Sequence, residues 1–160
     1  MVNVRRYRHA RFNVLLTEDR PHSEGHWISQ LPRLLEPQGV AAYVADTGRE
    51  AIDLAQRMEI HAAVIDMGTP IESTDGVTFG VRRLGGGMWL LELLRRLPYR
   101  PSVVMLRKPA FSQRQAQRIL NEALKLGAFS VMNKPVDVEQ LLAVLSRLID
   151  RRYRGTWPVD

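Results

Sequence analysis

Five short apolar runs alternate with five amphipathic segments along residues 12–150, and this alternation restricts the fold more than any other feature. The apolar runs have the length of buried strands, and the segments between them repeat apolar residues at helical spacing. Strands that alternate with helices form a parallel sheet, with right-handed crossovers that place helices on both faces. We therefore predict an α/β fold, a three-layer doubly wound (βα)5 sandwich.

Turn and cap residues divide the chain into its predicted elements. The predicted strands cover residues 12–16, 40–45, 62–65, 103–106 and 129–132. Helix N-caps are predicted at Thr47, Ser112 and Asp137, and helix stops at Gly39 and Gly127. The first helix is expected at about residues 27–36 and the third at about 88–97. Pro32 lies within the first of these and predicts either a kink or a late helix start.

The fourth helix has an apolar stripe at helical spacing. It comprises Ala116, Ile119, Leu120, Ala123 and Leu124. Residues that repeat in this way lie on one side of a helix and usually face the core. We therefore predict that the whole stripe is buried.

The chain carries a formal charge of +6, and arginine is concentrated at both of its ends. We interpret residues 1–11 as a basic N-terminal arm and residues 151–160 as a basic C-terminal tail. Basic ends are more often solvated than bound to a ligand, so nucleic-acid binding is not expected as the main function. The sequence has no cysteine, no membrane-spanning run and no secretory signal. A cytoplasmic protein without membrane contact is therefore expected.

Charged residues stand at the ends of three predicted strands. Glu18 and Asp19 follow the first strand, Asp66 ends the third and Lys134 follows the fifth. Ligands bind at the carboxyl ends of the strands in open α/β sheets. Clustered acids repel one another, and a hard cation such as Mg²⁺ would neutralise them. An aspartate beside Mg²⁺ and a lysine can attack a phosphoryl group. The alternative is that Asp66 merely caps the turn that follows it.

Nucleotide-binding motifs are missing from the sequence. No Gly-x-Gly-x-x-Gly follows the first strand and no Walker-type loop is present. A dinucleotide or nucleoside-triphosphate fold of the usual kind is therefore not expected.

Three stretches together resemble the signatures of two-component response-regulator receiver domains, the CheY-like family. They are Leu15-Leu16-Thr17-Glu18-Asp19, Val64-Ile65-Asp66-Met67-Gly68-Thr69-Pro70 and Val131-Met132-Asn133-Lys134-Pro135. The resemblance covers about residues 12–150, which we take as the receiver domain. It implies the flavodoxin-like strand order 2-1-3-4-5 known from the chemotaxis member of this family.

The resemblance also implies a role for each residue of the cluster. Asp66 matches the phosphoacceptor, and Lys134 matches the lysine that contacts the phosphoryl group. Glu18 and Asp19 match the acidic pair, with Asp19 as the direct Mg²⁺ ligand. Gly68 matches the residue whose backbone carbonyl completes the metal site. The peptide bond that follows Lys134 would be cis.

Two residues depart from the family pattern. Arg107 stands where the family has the Thr or Ser that hydrogen-bonds the phosphoryl group, and Val131 stands where it often has a switching aromatic. Arg107 either binds the phosphoryl group, pairs with Asp66 to mimic an active state, or is a solvated arginine at the edge of the sheet. The usual route from phosphate to the fourth helix, fifth strand and fifth helix is therefore in doubt.

The segment between Pro70 and Trp89 is about ten residues longer than is usual in the family. We interpret residues 71–87 as an insertion, folded as a small hairpin or an extended loop beside the acidic site. It either controls phosphodonor access or contacts a partner, or it is a tolerated surface insertion.

The resemblance implies a signalling module that accepts a phosphoryl group on Asp66 from a sensor histidine kinase or a phosphotransfer protein. It would act on a downstream protein target and would not be an enzyme beyond self-phosphorylation and autodephosphorylation. A homodimer through the face of the fourth and fifth helices, or a weak monomer–dimer equilibrium, is expected by analogy. One alternative is a degenerate receiver that serves as a phosphorylation-independent interaction or dimerisation module. A second is a basic nucleic-acid-binding protein on the same scaffold. The chain is either a stand-alone regulator or a piece cut at a linker.

Overall fold

The computed structural model describes residues 12–19, 27–72 and 86–153. The predicted N-terminal arm, residues 73–85 of the predicted insertion and residues 154–160 of the predicted tail lie outside these ranges. Five strands are present in the described part: β1 (Phe12–Thr17), β2 (Val40–Ala45), β3 (Ala62–Asp66), β4 (Ser102–Arg107) and β5 (Ser130–Asn133). Each lies within one residue of its predicted bounds.

The five strands form one parallel sheet in the order β2-β1-β3-β4-β5. This confirms both the doubly wound α/β prediction and the strand order that the family resemblance implied. β3 is the central strand, with β1 on one side and β4 on the other. Because all strands run in the same direction, their carboxyl ends meet at one edge of the sheet, and that edge carries the predicted site.

Five α-helices connect or flank the strands in the described ranges: α1 (Trp27–Leu35), α2 (Gly48–Arg57), α3 (Gly86–Leu94), α4 (Gln113–Lys125) and α5 (Val138–Tyr153). A short 3-10 helix (Glu36–Gln38) follows α1 and ends at Gly39, whose φ of 78° is left-handed. The caps form as predicted. Thr47 and Ser112 accept backbone N–H bonds from Glu50 and Gln115, and Asp137 accepts those of Glu139 and Gln140.

The sheet separates two apolar cores, and successive residues of each central strand contribute to opposite ones. In β1, Val14 and Leu16 face the core covered by α1 and α5, whereas Leu15 faces the core covered by α2, α3 and α4. β3 follows the same alternation, with Val64 on the first side and Ile65 on the second. All five of these side chains are buried completely. Helices on both faces of the sheet give the predicted three layers.

The structure corrects three details of the sequence prediction. α1 begins at Trp27 and contains Pro32, so a late start caused by the proline is wrong. α3 begins at Gly86 and ends at Leu94, earlier at both ends than predicted. The α4 stripe is not wholly buried, because Leu124 remains 47% exposed and only Ala123 is fully buried. Helical spacing identifies the apolar side of a helix, but not how closely that side packs against the sheet.

Candidate functional site

The Asp66 carboxylate lies at the carboxyl end of β3 and is only 2% exposed. Its Oδ2 atom accepts a hydrogen bond from the Lys134 ammonium at 2.6 Å and another from the backbone N–H of Asp19 at 3.1 Å. Its Oδ1 atom accepts the backbone N–H of Gly68 at 2.9 Å. Residues from three strand ends therefore hold Asp66. A buried anion needs such partners, because burying a charge without an ion pair and hydrogen bonds is costly.

Asp19 and Gly68 contact each other beside this carboxylate. A Cβ atom added to Gly68 would lie 2.6 Å from Oδ2 of Asp19 and 3.1 Å from its Cγ. The Asp19 carboxylate thus rests directly against the backbone of Gly68, in space that any larger residue would fill. The sequence prediction grouped Asp19, Asp66, Gly68 and Lys134, and the structure brings these four together. Glu18 is also buried at this edge, at 7% exposed.

Two threonines support the backbone beneath the site. The hydroxyls of Thr17, at the end of β1, and Thr69, after β3, lie 2.8 Å apart and are both buried. The Thr17 hydroxyl also accepts the backbone N–H of Asp66 at 3.3 Å. These contacts fix the end of β1 to the turn after β3. The sequence analysis quoted both threonines inside the motifs but gave neither a role, since a single hydroxyl has no pattern of its own.

The β5 end places Lys134 at the site. The backbone N–H of Lys134 donates to the carbonyl of Arg107 at 2.7 Å, which continues the pairing of β4 with β5 beyond Asn133. The Lys134–Pro135 bond is cis, as the resemblance implied. The lysine side chain is 11% exposed, so its ion pair with Asp66 is shielded from bulk water.

Arg107 does not bind Asp66 but makes two hydrogen bonds of its own. Its Nε atom donates to Oδ1 of Asn133 at 2.8 Å, and its Nη1 atom donates to the backbone carbonyl of Ala116 in α4 at 2.8 Å. The alternative in which Arg107 pairs with Asp66 is therefore wrong for this structure, because Lys134 is the cation on that carboxylate. The side chain is half-buried and so keeps part of its surface in water while it makes these two hydrogen bonds. The guanidinium connects β4, β5 and α4.

The turn after β3 is held from the other side by α2 and α3. Two backbone N–H groups at the start of α2, those of Gly48 and Arg49, donate to the carbonyls of Pro70 and Ile71 at 2.8 and 2.9 Å. At the start of α3, a Cβ atom on Gly87 would lie 2.5 Å from Cα of Met67 and 2.6 Å from the backbone oxygen of Asp66. Only glycine allows this approach of helix to turn. The sequence analysis placed Gly87 at the end of the predicted insertion and gave it no contact with the turn after β3.

No group of three or more His, Cys, Asp or Glu side chains in the described ranges is arranged to hold a metal ion. The carboxylates of Asp19 and Asp66 remain the candidate ligands, together with the Gly68 carbonyl. Mg²⁺ is usually held by one or two carboxylates and several waters, so this donor set fits that ion. The contact of Asp19 with Gly68 is consistent with the fit, because a side chain at position 68 would displace the carboxylate.

No family model matches the chain, and no curated protein matches it in sequence. Solved structures do match it in fold. A two-component response regulator from Clostridium difficile has a TM-score of 0.65 at 17% identity, and the match covers 89% of this chain and 99% of that one. The receiver domain of the Francisella response regulator 1452 has a TM-score of 0.63 at 24% identity, covering 87% and 97%.

A third solved structure gives the same result. The CheY-like response-regulator receiver domain from Methylobacillus flagellatus has a TM-score of 0.58 at 20% identity, over 86% of this chain and 98% of that one. At such identities the similarity concerns the fold. These matches agree with the receiver motifs, and the strand order is the one the resemblance implied. Within the described residues, no helix combines the length and the apolar character that crossing a membrane requires.

Proposed function

We propose that this chain, which has the fold of response-regulator receiver domains, accepts a phosphoryl group on the carboxylate of Asp66. The donor would be a phosphohistidine of a sensor kinase or a phosphotransfer protein. A bond would form between an Asp66 oxygen and phosphorus as the bond from phosphorus to the histidine nitrogen breaks. The product would alter the affinity of the domain for a downstream protein in a cytoplasmic signalling pathway. In this role the chain is a substrate of the kinase and not an enzyme in its own right.

The observation that carries the proposal is the environment of Asp66. A lone aspartate that caps a turn needs only backbone N–H partners, and Asp66 has those from Asp19 and Gly68. It also has the ammonium of Lys134 at 2.6 Å, from a strand two positions away in the sheet. The Lys134 side chain is only 11% exposed, and burying its charge costs desolvation free energy. A carboxylate that only caps a turn would not require this buried lysine.

Lys134 has a direct use in phosphoryl transfer. The incoming phosphoryl group brings additional negative charge next to a carboxylate, and transfer is limited mainly by positioning and by charge stabilisation. A lysine ammonium is a compact point charge that can contact both the carboxylate and a phosphoryl oxygen. The backbone N–H groups of Asp19 and Gly68, which donate to the Asp66 carboxylate, would keep its oxygens in place during the transfer.

Asp19, Asp66 and the Gly68 carbonyl are the groups that would hold Mg²⁺, with Glu18 beside them. When bound, Mg²⁺ would offset the charge of the two carboxylates and of the phosphoryl oxygens. Glu18 and Asp19 would then serve to place a cation next to Asp66, and Lys134 would provide the second positive charge.

Two observations favour a second candidate, a degenerate receiver that binds partners without phosphorylation. Asp66 is 2% exposed, so a phosphodonor reaches it only if covering side chains move. Arg107, at the position of the family's Thr or Ser, is already hydrogen-bonded to Asn133 and Ala116. A phosphoryl group would then lack its usual contact to the fourth strand.

The deciding experiment is intact-protein mass spectrometry after incubation with acetyl phosphate, with and without Mg²⁺. The wild type and three variants are compared: Asp66→Asn, Lys134→Ala and Asp53→Asn. Asp53 is an exposed aspartate in α2 and serves as the matched control. We expect one phosphoryl adduct that requires Mg²⁺, is absent in Asp66→Asn, is strongly reduced in Lys134→Ala and is unchanged in Asp53→Asn.

An adduct that persists in Asp66→Asn would place the chemistry on another residue and would refute the proposal. A wild type that remains unmodified with Mg²⁺ and acetyl phosphate would favour the degenerate receiver. Circular dichroism of each variant separates loss of chemistry from loss of the fold.

A further inference from the structure

The outward side of α4 carries a stripe of polar and basic residues. Arg114, Arg118, Asn121 and Lys125 are all exposed, and their spacing of four, three and four residues places them on one side of the helix. We call these four residues the basic stripe. With a rise of about 1.5 Å per residue, the stripe is roughly 16 Å long. It lies opposite Ala123, the buried residue of the helix.

In the part of the chain that the structure describes, the cations of the basic stripe are not paired with carboxylates. Within residues 12–19, 27–72 and 86–153, Arg114, Arg118 and Lys125 make no ion pair. Arg114 and Arg118 are like charges one helical turn apart, which destabilises a helix slightly. By contrast, Arg96 in the segment after α3 bonds Glu92 at 3.0 Å. An anionic ligand would relieve the repulsion along the stripe.

An exposed aromatic residue stands at the N-terminal end of the stripe. Phe111 precedes the α4 cap and is 98% exposed. Its position is set, because its backbone N–H donates to Oε1 of Gln115 at 2.7 Å. Lys108, in the same loop, is also exposed. A large apolar side chain that is almost wholly in water is informative, since burying it against a partner is favourable.

We propose that the basic stripe together with Phe111 and Lys108 binds single-stranded nucleic acid. Proteins bind single strands by combining a line of positive charge along the backbone with aromatic side chains on which bases stack. Both parts are present here, on a chain whose formal charge is +6. A single strand carries one negative charge per nucleotide and a flat base beside it, which matches a line of cations with an aromatic residue at its end.

This proposal departs from the sequence prediction, which considered only the arginine-rich ends and did not expect nucleic acid as the main partner. It rests on α4 and the loop before it, and it does not depend on phosphorylation of Asp66. The same chemistry serves RNA and DNA, which differ in the 2′-hydroxyl. The binding experiment therefore uses both.

The test is fluorescence anisotropy with the full chain and labelled oligonucleotides of about 16 nucleotides, the upper site size of single-strand-binding domains. Single-stranded RNA, single-stranded DNA and duplex DNA are compared at about 50 and 200 mM salt. We expect single strands to bind more tightly than the duplex, with affinity that falls as salt rises. Asp53→Asn, at an exposed position in α2, is expected to bind as the wild type does.

Two double variants with the same change in charge locate the site. Arg114→Gln with Arg118→Gln removes two cations from the stripe, and Arg147→Gln with Arg151→Gln removes two exposed cations at the same spacing from α5. At about 100 mM salt, the loss of two phosphate contacts should weaken binding by roughly 25-fold. The α5 pair should change it far less. Phe111→Ala should weaken binding about fivefold or more, as loss of one stacked base does.

Equal weakening by the two pairs would mean that net charge alone attracts the oligonucleotide, and it would overturn the proposal. So would binding that Phe111→Ala leaves unchanged, or tighter binding to the duplex. If polyglutamate binds through the stripe and no oligonucleotide does, the surface serves an acidic protein instead. All substituted side chains are exposed, so each variant is expected to fold, and circular dichroism confirms this.

Discussion

The Nε atom of Arg107 donates a 2.8 Å hydrogen bond to Oδ1 of Asn133, across the last pair of residues that β4 and β5 share. A second bond from the same guanidinium reaches the Ala116 carbonyl in α4. At the position where the resemblance implied a phosphate-binding Thr or Ser, this chain has an arginine that connects the edge of the sheet to a helix.

Arg107→Ala should lower the free energy of unfolding by about 1–2 kcal/mol, because it removes two hydrogen bonds from a charged donor that is partly solvated. Urea denaturation measures the change. Adding Asn133→Ala should cost less than the sum of the two single changes, since both remove the same bond. Arg118→Ala is the control and should change stability by less than about 0.5 kcal/mol. Strictly additive effects of Arg107→Ala and Asn133→Ala would show that their hydrogen bond contributes nothing.

Lys134→Met should lower the free energy of unfolding by about 2–4 kcal/mol, because it leaves the buried Asp66 carboxylate without its cation. The N–H bonds from Asp19 and Gly68 limit the loss. Combining Lys134→Met with Asp66→Asn should restore part of it, since the uncompensated charge is then gone. The cycle is measured by urea denaturation without Mg²⁺. A double variant less stable than Lys134→Met alone would contradict this explanation.

Gly87→Ala should mainly lower stability, whereas Gly68→Ala should mainly lower phosphoryl incorporation. At Gly87 the new methyl group meets the backbone of Asp66 and Met67, which cannot yield, so stability should fall by about 1–3 kcal/mol despite the better helix propensity of alanine. At Gly68 it meets only the Asp19 side chain, whose carboxylate can rotate away, although the Asp19 Cβ at 3.0 Å must shift slightly. Thermal denaturation should therefore show the larger effect for Gly87→Ala. Phosphoryl incorporation should fall in Gly68→Ala even where stability changes little.

His61 should make stability depend on pH. Burial lowers its pKa below the ordinary 6.5, while nearby Glu59 opposes the shift. Its Nδ1 accepts the backbone N–H of Asn13 at 2.9 Å, which requires an unprotonated nitrogen. The unfolded chain binds the proton more readily, so this contribution is complete above pH 6.5 and is lost as pH falls from there toward the lowered pKa.

The check compares urea denaturation at about pH 5.5 and 7.5, on either side of the ordinary histidine pKa. His61→Gln provides the reference, since glutamine can still accept the N–H of Asn13 but does not titrate. The stability of the wild type relative to this variant should be smaller at the lower pH. A difference that is independent of pH, or larger at low pH, would contradict the predicted sign.

Replacing residues 73–85 by a linker of about four residues should leave the fold intact. The segment leaves at Glu72 and returns at Gly86, and a Cβ atom on Gly86 would lie 2.9 Å from the backbone nitrogen of Ile71, so the two ends are neighbours. Shortening the loop should stabilise the chain by about 1 kcal/mol through loop entropy. Thermal denaturation and acetyl phosphate incorporation are measured together. Loss of incorporation with retained stability would favour a role in phosphodonor access over a tolerated insertion.

The strands and caps could be predicted because each depends on local chemistry. The run from Ala62 to Asp66 is apolar until its last residue, and a hydroxyl at Thr47 can cap only the helix that follows it. The cluster of Asp19, Asp66 and Lys134 followed from the same logic, since parallel strands bring their ends together. The strand order came from the resemblance, because periodicity alone does not say which strands are neighbours.

What could not be predicted depends on partners far apart in sequence. The partners of Arg107 lie 26 and 9 residues away in the sequence. Its immediate neighbours in the sequence were compatible with three interpretations of this side chain. The exposure of Leu124 depends on how closely α4 approaches the sheet, which no spacing encodes. The contact of Gly87 with the turn after β3 could not be foreseen across an intervening segment of unknown path.

The position of β3 at the centre of the sheet has a consequence for folding. Asp66 meets Asp19 from 47 residues before it and Lys134 from 68 residues after it, across β1 on one side and β4 and β5 on the other. No fragment shorter than residues 19–134 contains these three residues, and an intermediate that lacks β5 would hold Asp66 without its lysine. The proposed uptake of a phosphoryl group would therefore depend on docking of the last strand, and its appearance during refolding would report that β5 has joined the sheet.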